Sequence, residues 1–428
     1  MRFVRALFRF GPLKQGATWA RERFRRGSRG RRLGRFVRLF FTKKPVITQV
    51  QFVEQLQAKL VSFFPAGEGE AVALSRQIHG APESVQLASY PMRILRARSI
   101  VFEPHQDVFF QGRRAFRQRL GTGPRWEAVN EGFSSNSELV HWSYRRIAIV
   151  SSDAIPQSRL LDSGIIVNGK FPSNYYHWII NILPKVFLVE KEGIVAESVP
   201  VLVSASVKGT PAEEALRLVL GGRREVIFIP DEPHYVRDAY VVEAAVPEIA
   251  QLSGQRDPAW DTLGGFNFSF MRLYRQFFLD AEKDASLKEK DFSPSRVYLS
   301  RSNSVRPFNE HDVRTVLEKH GFVNVKIEDH SFLEQVRIFS RAEIVVSTTG
   351  AQWTGALFCS RAKCLIMGPG FLSGSSLFSK LLHVGGGFLF EILMDVEART
   401  WRAYRNSGTA GCVDIGELAR AIQELESH

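Results

Sequence analysis

Apolar and polar positions follow two alternating periods in the C-terminal half of the chain. From residue 295 to residue 369, short apolar runs typical of buried strands alternate with segments whose apolar residues recur every three or four positions. The pattern predicts strands at 296–300, 323–328, 343–348 and 363–367, and helices at 309–320, 331–342 and 349–358. Polar residues and glycines cluster where these strands end. Because open parallel sheets bind ligands at the carboxyl ends of their strands, this segment is predicted to bind a phosphorylated, nucleotide-type ligand.

A second α/β pattern lies upstream, between residues 160 and 245. The strand-like runs GIIVNG, VPVLVSA and EVIFIP alternate with a helical pattern at about 174–192 and with TPAEEALRLVLG. An apolar helical segment, FNFSFMRLYRQFFLDA, follows and is predicted to connect the two halves. Earlier in the chain, QFVEQLQAKLVSFF has a helical pattern, and short β-like runs lie between residues 89 and 150. A last helix is predicted near 414–425, with Asp414 as its N-cap.

These patterns divide the chain into five parts. We expect a basic arm at 1–44, a linker with a helical segment at 45–88, a first α/β domain at 89–280, a second at 281–395, and a tail at 396–428 whose helix packs back. Two domains is also the number expected for a chain of 428 residues.

The net charge of +13 belongs to the arm. Residues 1–44 hold fifteen of the 57 Lys and Arg residues and one of the 44 acidic residues, so the rest of the chain is nearly neutral. Within the arm, arginines and apolar residues fall on different helical faces, as do Arg2, Arg5 and Arg9 against Phe3, Leu7 and Phe10. Such pieces suit an anionic membrane surface, where each cation contributes about 1 kcal/mol. A solvated tail is the alternative, and nucleic acid is disfavoured because the body does not continue the basic footprint.

Cysteine usage and apolar content favour the cytoplasm. The three cysteines form no even framework, which is typical of reduced thiols in a reducing compartment. No apolar run approaches the ~20 residues that span a bilayer, and arginines interrupt the N-terminal apolar positions, unlike a secretory signal. The ten histidines show no zinc spacing, and the chain has no Asp-x-Asp. We therefore expect no metal and no cofactor, and a cytoplasmic protein held peripherally at the inner membrane face.

The first candidate site is NYYHWIINILPK at 174–185. On a helix, His177 and Asn181 share a face, and Ser173 or Asn174 would cap its N-terminus. Aromatic and amide groups together suit a sugar, and a histidine can remove a proton from an acceptor hydroxyl near neutral pH. The alternative is core packing around a histidine whose hydrogen bonds are satisfied. The candidate substrate-binding residues are Asn174, Tyr175, Tyr176, Trp178 and Asn181.

The second candidate site is a loop that follows the strand at 296–300. Arg301 and Arg306 can bind a diphosphate bidentately, which arginine does better than lysine. Asn309 is predicted to cap the next helix and to add the positive potential of its N-terminus. The alternative is a pair of surface arginines followed by an ordinary cap.

The third candidate site is STTGAQWTGA at 347–356, at the end of the strand EIVVS. Gly350 lets the backbone approach a ligand, and Thr348 and Thr349 offer hydroxyls to phosphate or ribose. The segment is neither a GxGxxG fingerprint nor a Walker loop. It is typical of a strand–turn–helix anion site.

Together and in this order, these segments resemble glycosyltransferase family 61. The resemblance covers about residues 160–369 and rests on NYYHWIINILPK, SRSNSVRPFNE, SFLEQVRIFSRAEIVVS and TTGAQWTGALF. It implies a GT-B-like α/β architecture, with two Rossmann-like halves that face a cleft: an acceptor side in 89–280 and a nucleotide-sugar-binding domain in 281–395. It also implies metal-independent transfer with inversion at the anomeric carbon. Bacterial members are commonly labelled capsular polysaccharide biosynthesis proteins.

The resemblance gives roles to individual residues. His177 and Trp178 match the family's His-Trp pair on the cleft helix. The donor-side positions that match are Arg301, Arg306, Asn309, Glu334, Gln335, Thr349, Gly350 and Ala351. Two departures from the family pattern matter, since Asn181 stands where Asp or Glu is usual and Gly355 where Asn is usual; Lys185 in place of the usual Arg is a smaller change. An amide does not accept a proton near neutral pH, so either His177 is the general base or the activity is altered or lost.

The sequence thus predicts a glycosyltransferase of surface (capsular) polysaccharide biosynthesis. The expected partners are a nucleotide-sugar donor, a glycan or lipid-linked acceptor and, through residues 1–44, an anionic membrane surface. The main alternative is a catalytically silent sugar- or nucleotide-binding scaffold protein of a glycan assembly complex, which Asn181 and Gly355 support. A Rossmann dehydrogenase is disfavoured by the missing GxGxxG.

Overall fold

Two β-sheets form the framework of the computed structural model. The structure describes residues 45–52, 55–77, 80–81, 83–112, 114–117, 140–144, 147–151, 159–246, 266–286, 292–301, 307–370, 376–396 and 410–427. The basic arm predicted at 1–44 lies outside these residues, as does Arg306.

Within the described residues, the larger sheet has eleven strands. They are β1 (Pro45–Phe52), β2 (Ala58–Phe64), β5 (Met92–Phe102), β6 (Val108–Gln111), β7 (Arg114–Arg117), β8 (Val140–Tyr144), β9 (Ile147–Ser151), β10 (Arg159–Val167), β11 (Val201–Ser204), β12 (Val226–Ile229) and β13 (His234–Val242). Their order is β12-β11-β10-β13-β5-β6-β7-β1-β9-β8, and β2 pairs with β5. Two further strands, β3 (Glu70–Ala73) and β4 (Ser84–Leu87), form a separate hairpin.

Four strands of the larger sheet make a parallel, Rossmann-like unit. β10 pairs in parallel with β11 and β13, and β11 pairs in parallel with β12. A π-helical segment (His177–Ile182) and helix α1 (Leu183–Glu192) follow β10, while helix α2 (Pro211–Leu220) connects β11 to β12. The chain progresses to opposite sides of β10, so the switch point lies between β10 and β13. Ligands bind at this point in α/β sheets.

The smaller sheet is entirely parallel. It contains β14 (Arg296–Ser300), β15 (Val323–Lys326), β16 (Ile344–Thr348), β17 (Lys363–Pro369) and β18 (Phe388–Met394), in the order β15-β14-β16-β17-β18. Its connections hold helices α4 (Glu310–Lys319), α5 (Phe332–Arg341) and α6 (Ser376–Gly385). The order is of the flavodoxin type, with the switch point between β14 and β16. The alternation predicted for 295–369 is confirmed, except that the helix predicted at 349–358 is a 3₁₀-helix (Ala351–Phe358).

The central strands β14, β16 and β17 of the smaller sheet are buried on both faces, which explains their nearly continuous apolar sequences. Tyr298, Val346 and Leu365 point to a core shared with α4 and with helix α7 (Ile415–Ser427). Residues of the opposite face belong to a larger core that continues into the β10–β12 unit. Helix α3 (Phe268–Ser286) contributes Tyr274 and Phe278 to that core. The predicted helix between the halves is confirmed as α3, and Asp414 caps α7 as predicted, with Oδ1 2.8 Å from the Glu417 amide.

The segment after β3 joins the two sheets. Arg76 forms a parallel bridge with Phe390 in β18, where its carbonyl accepts from the Glu391 amide at 2.7 Å. The buried Ser75 hydroxyl donates to the Glu391 carboxylate at 3.0 Å. Ser75 and Arg76 thereby cover β18, the edge strand of the smaller sheet.

The helix predicted in QFVEQLQAKLVSFF is wrong, because this segment holds parts of β1 and β2. β2 pairs antiparallel with β5, from Ala58 opposite Ala97 to Phe64 opposite Met92. Pairing with a neighbouring strand overrides a weak local helical preference, and a short apolar run fits either period. None of the helices in the described part of the chain is long and apolar enough to cross a membrane.

Candidate active site

The helix after β10 begins at the switch point of the larger sheet. The Asn174 Oδ1 accepts from the Tyr176 amide at 3.0 Å and from the His177 amide at 3.5 Å, so the predicted cap is confirmed. Gly169 lies in the turn below, where a Cβ atom would be 2.6 Å from Cγ1 of Ile182. The turn therefore requires glycine for the helix to pack this closely over the end of β10.

His177 and Asn181 form a hydrogen-bonded pair on this helix. The His177 Nδ1 lies 3.1 Å from the Asn181 Oδ1, and the Asn181 Nδ2 donates to the Val246 carbonyl at 2.7 Å. A carbonyl oxygen only accepts, so it orients the amide with Oδ1 toward the histidine. The His177 Nδ1 is therefore the donor, and its Nε2 is the nitrogen that can accept a proton. Val246 follows β13, so the pair links both sides of the switch point.

The electrostatics keep His177 neutral near pH 7. Burial lowers its pKa from the ordinary value, the hydrogen bond with Asn181 opposes this shift, and the Lys170 ammonium lowers the pKa further. Lys170 itself lies 3.7 Å from the Asp107 carboxylate. A neutral imidazole with a fixed Nδ1–H has the form that a general base needs.

The other aromatic residues of NYYHW belong to the core side of the helix. Trp178 is fully buried, and its Nε1 donates to the Ala212 carbonyl at 2.9 Å. Burial raises the pKa of the Tyr175 hydroxyl, and the Glu214 carboxylate adds to the rise. Tyr176 is also buried, with its ring against His177 and Phe378. The structure therefore brings His177 and Asn181 together and packs the Tyr176 ring against His177. Tyr175 and Trp178 pack in the hydrophobic core instead.

A buried lysine supports the turn below His177. Lys185 is 6% exposed, and its Nζ donates to the Asn168 carbonyl at 2.7 Å and lies 3.4 Å from the Asn168 Oδ1. Burial lowers the pKa of Lys185 to about 8, against the opposing pull of Asp107 and Glu243. No role was predicted for Lys185 from the sequence, although it follows His177 and Asn181 at the same four-residue spacing.

The second part of the site lies at the switch point of the smaller sheet. Arg301 follows β14 and Gly350 follows β16, and the Ser347 hydroxyl ties the two strand ends by donating to the Leu299 carbonyl at 2.8 Å. A Cβ atom on Gly350 would lie 2.9 Å from the Arg301 Nη1 and closer still to the Gln352 Oε1. Glycine at this position therefore leaves the space that the Arg301 guanidinium occupies. The structure brings Arg301 together with the turn at 348–351, as predicted from two separate motifs.

Other donor-side residues have structural hydrogen bonds. Asn309 stands at the N-cap position of α4 as predicted, but its side chain makes no capping hydrogen bond. Its amide pairs with the Val413 backbone instead, Oδ1 accepting at 2.8 Å and Nδ2 donating at 3.0 Å. Glu334 forms a capping box with Ser331 at the start of α5. Gln335 is buried and donates to the His330 carbonyl at 2.9 Å. Their predicted contacts with the donor stay predictions.

Two buried polar atoms near Arg301 were not predicted. The Gln352 Oε1 and the Ser300 hydroxyl have no hydrogen-bond partner within the described part of the chain. Gln352 holds its position through its Nε2, which donates to the Thr348 carbonyl at 2.7 Å. Buried polar atoms normally have partners, and both of these atoms lie near the carboxyl ends of β14 and β16. A glutamine after a Gly-Ala turn carries no sequence signal of this burial.

An aromatic layer connects the two switch points. The ring of His177 contacts Tyr176 at 5.4 Å between centroids, Tyr176 contacts Phe378 at 6.0 Å, and Phe378 contacts Trp353 at 6.3 Å. Trp353 in turn donates to the Thr348 carbonyl at 2.9 Å. The candidate base and the candidate anion-binding turn therefore lie at the two ends of one continuous layer of rings.

Gly355, one of the two departures from the family pattern, has a packing reason. A Cβ atom there would lie 2.5 Å from Cζ of Phe339 and nearer still to two other ring atoms. Phe339 is itself buried in the core beneath the 3₁₀-helix. The absence of a side chain at 355 is therefore a consequence of how this chain packs.

A protein family matches the part of the chain that contains both the candidate base and the candidate anion-binding turn. Residues 175–366 match the family model described as Glycosyltransferase 61, a range that contains His177, Arg301 and Gly350. A search of curated proteins finds no match. Among solved structures, a mutant flavo di-iron protein from Thermotoga maritima is matched with a TM-score of 0.22 and 10% identity, over 84% of this chain and 99% of that one. A likeness this weak does not indicate a shared fold. The family match supports a glycosyltransferase of family 61 in general.

Proposed function

We propose that the protein is an inverting, metal-independent glycosyltransferase that moves a sugar from a nucleotide sugar to a glycan or lipid-linked acceptor in surface (capsular) polysaccharide biosynthesis. The observation that carries this proposal is the His177–Asn181–Val246 chain of hydrogen bonds, which sets a neutral histidine with an accepting Nε2 at a switch point. The family match over the same residues supports it. The overall arrangement is GT-B-like, with the β10–β13 unit on the acceptor side and the smaller sheet on the donor side.

The donor diphosphate binds at the end of β14 and β16. Arg301, together with Arg306 and the backbone amides of the Thr349–Ala351 turn, neutralises the charge that grows on the diphosphate as it leaves. Gly350 allows the close approach, because the Arg301 guanidinium already lies within 2.9 Å of the point where a Cβ would stand. The predicted threonine hydroxyls at 348 and 349 contact phosphate or ribose.

The reaction is a single displacement. The acceptor hydroxyl oxygen forms a bond to the anomeric carbon while the bond from that carbon to the diphosphate breaks. The hydroxyl proton passes to the His177 Nε2, and the nucleoside diphosphate leaves with the electron pair. Asn181 keeps Nδ1 protonated throughout and stabilises the imidazolium that forms, as an orienting residue does in other histidine-dependent sites. An amide at 181 is therefore compatible with catalysis by His177.

The basic arm at 1–44 gives the enzyme its location. We infer that it holds the protein on the cytoplasmic face of the inner membrane, where anionic headgroups attract its fifteen cationic residues and lipid-linked acceptors are found.

The test has a binding arm and a turnover arm. Thermal shift with a panel of nucleoside diphosphates is expected to show stabilisation by one base, and Arg301→Ala is expected to weaken that binding roughly 10–100-fold. Turnover is measured as nucleoside diphosphate released from nucleotide sugars, with and without acceptor. His177→Gln is expected to lower kcat about 100-fold or more. Arg314→Ala and His311→Gln, both on the exposed side of α4, are the matched controls and should change neither quantity.

The two arms also separate the enzyme from a silent scaffold. Nucleotide binding without any release or transfer across the panel would support the scaffold, and undiminished turnover by His177→Gln would remove the histidine from the chemistry. Full nucleotide affinity in Arg301→Ala would remove Arg301 from the donor site.

A further inference from the structure

Phe171 lies exposed and strained beside the candidate base. Its side chain is 59% exposed, and its ring centroid is 5.3 Å from that of His177, at an interplanar angle of 43°. Its φ angle of 55° is in the left-handed region, which a bulky L-residue rarely adopts. The residue belongs to the turn between β10 and the π-helical segment His177–Ile182, where its carbonyl accepts from the Asn174 amide at 2.9 Å.

Neither packing nor turn geometry accounts for a phenylalanine at this position. Burial does not offset the backbone strain, because more than half of the side chain faces solvent. Glycine or asparagine would adopt the same turn with less strain. A strained residue kept beside a catalytic group is a recognised sign of function, and here the only part of Phe171 that distinguishes it from glycine is the exposed ring.

We propose that the Phe171 ring is the platform on which a pyranose of the acceptor stacks, which rests on the proposed glycosyl transfer. A pyranose has an apolar face of C–H groups that packs on an aromatic ring, while its hydroxyls point outward. Stacked on Phe171, the sugar presents a hydroxyl toward His177, whose ring is adjacent. Lys170 precedes Phe171 in the chain, and its Nζ lies 3.7 Å from the Asp107 Oδ2. This pair supplies polar groups for the remaining hydroxyls. The acceptor is thereby specified as a glycoside rather than a simple alcohol.

The experiment measures glycoside binding to the full chain without any donor. The probes are methyl β-D-glucopyranoside, methyl β-D-galactopyranoside and methyl N-acetyl-β-D-glucosaminide, followed by saturation-transfer NMR. Wild type is expected to bind at least one of them, with the strongest transfer to the C–H protons of one ring face. Phe171→Ala is expected to weaken this binding about tenfold, since an aromatic stacking contact contributes about that factor. Phe171→Trp, which keeps a ring, is expected to retain affinity within about threefold of wild type by the same contact.

Two sets of controls separate the ring from the backbone strain. Phe388→Ala removes a phenylalanine of equal exposure on β18 and is expected to leave binding unchanged. Phe171→Gly is expected to melt above Phe171→Ala because glycine relieves the strain, yet both should lose the same affinity. Arg361, just before β17, also has a left-handed φ angle of 57° and provides matched variants. Arg361→Gly should likewise melt above Arg361→Ala, and neither variant should lose affinity for the glycosides.

Three results would contradict the stacking of a sugar on the Phe171 ring. Unchanged affinity in Phe171→Ala, affinity that follows the melting temperature, or no binding of any of the three glycosides by wild type would each overturn the platform. Nucleoside diphosphate binding is measured on the same variants and should stay at the wild-type value. Its absence in wild type would count against the proposed function, whereas loss confined to the glycosides by Phe171→Ala would support the platform.

Discussion

The amide of Asn181 determines which nitrogen of His177 is available for chemistry. Its Nδ2 is committed to the Val246 carbonyl, so its Oδ1 must face the His177 Nδ1. Sequence spacing predicted that the two residues share a helical face, and the structure confirms it. The third member of the chain was beyond prediction, because Val246 contributes a backbone carbonyl and lies 65 residues away.

We expect the pH profile to report this arrangement. Burial lowers the pKa of His177, so the imidazole is neutral and active above that lowered pKa and becomes protonated and inactive as the pH falls through it. The acidic limb of kcat/KM should therefore have its midpoint below the ordinary histidine value of about 6.5. Asn181→Asp should move the midpoint upward, because a carboxylate stabilises the imidazolium.

The same variant also tests the orientation of the amide. A carboxylate at 181 would face the Val246 carbonyl with an oxygen in place of a donor, so Asn181→Asp should lower the melting temperature as well as shift the profile. Asn181→Leu removes the hydrogen bond that raises the pKa of His177, and its midpoint should shift in the opposite direction. An acidic limb that is the same in wild type and both variants would contradict His177 as the titrating group.

At the scale of elements, the helix after β10 was predicted in position and in its cap, but not in its form. Six of its residues, His177–Ile182, are π-helical, and such segments often occur at functional sites. Sequence periodicity does not separate a π-helix from an α-helix over six residues. The strands β1 and β2 were missed for a related reason, because their pairing with distant strands leaves no local signal.

The contact between Lys185 and the turn after β10 makes this helix sensitive to alkaline pH. The pKa of Lys185 is about 8 in the folded protein, against about 10.4 in the unfolded chain. Below pH 8 both states carry the proton, and the folded protein bears the full cost of a buried charge. Between these two pKa values the unfolded state binds more protons, so stability rises with pH, by about 3 kcal/mol in total.

Urea unfolding of wild type and Lys185→Met between pH 7 and pH 10 measures this effect. The methionine variant lacks the titrating group, so wild type should gain stability relative to it above pH 8. Equal urea slopes in the two proteins serve as the control that both unfold to the same extent. A stability difference that stays constant over this pH range would show that the pKa of Lys185 is not lowered.

At the scale of the whole molecule, the sequence predicted the α/β class with parallel strands and placed the candidate motifs where strands end, but it did not predict the strand order that creates the two switch points. The class was predictable because parallel strands buried on both faces leave long apolar runs bounded by polar turns. The way in which the parts connect was not predictable. The bridge from Arg76 to β18 and the shared core around α3 depend on side chains far apart in the sequence, which no local period reveals.

A buried ion pair connects α3 to α5. Glu282 and Arg337 are both 4% exposed, with Oε1 and Nε 2.8 Å apart, and Arg341 approaches the same carboxylate at 3.4 Å. Glu282→Ala removes the carboxylate and leaves the Arg337 charge buried, so it should reduce the free energy of unfolding by about 3–5 kcal/mol. Asp280→Ala, which removes an exposed carboxylate from the same helix, should cost less than about 1 kcal/mol.

Replacing both Glu282 and Arg337 shows whether the loss of stability in Glu282→Ala comes from leaving the buried Arg337 charge without this carboxylate. Glu282→Leu with Arg337→Met should restore most of the stability, because well-packed apolar residues substitute for a buried ion pair at little cost. Urea unfolding of the single and double variants measures the coupling. If Glu282→Ala unfolds like Asp280→Ala, the pair does not connect α3 to α5 in solution. If instead the double variant is as unstable as the single one, the loss comes from packing rather than from charge.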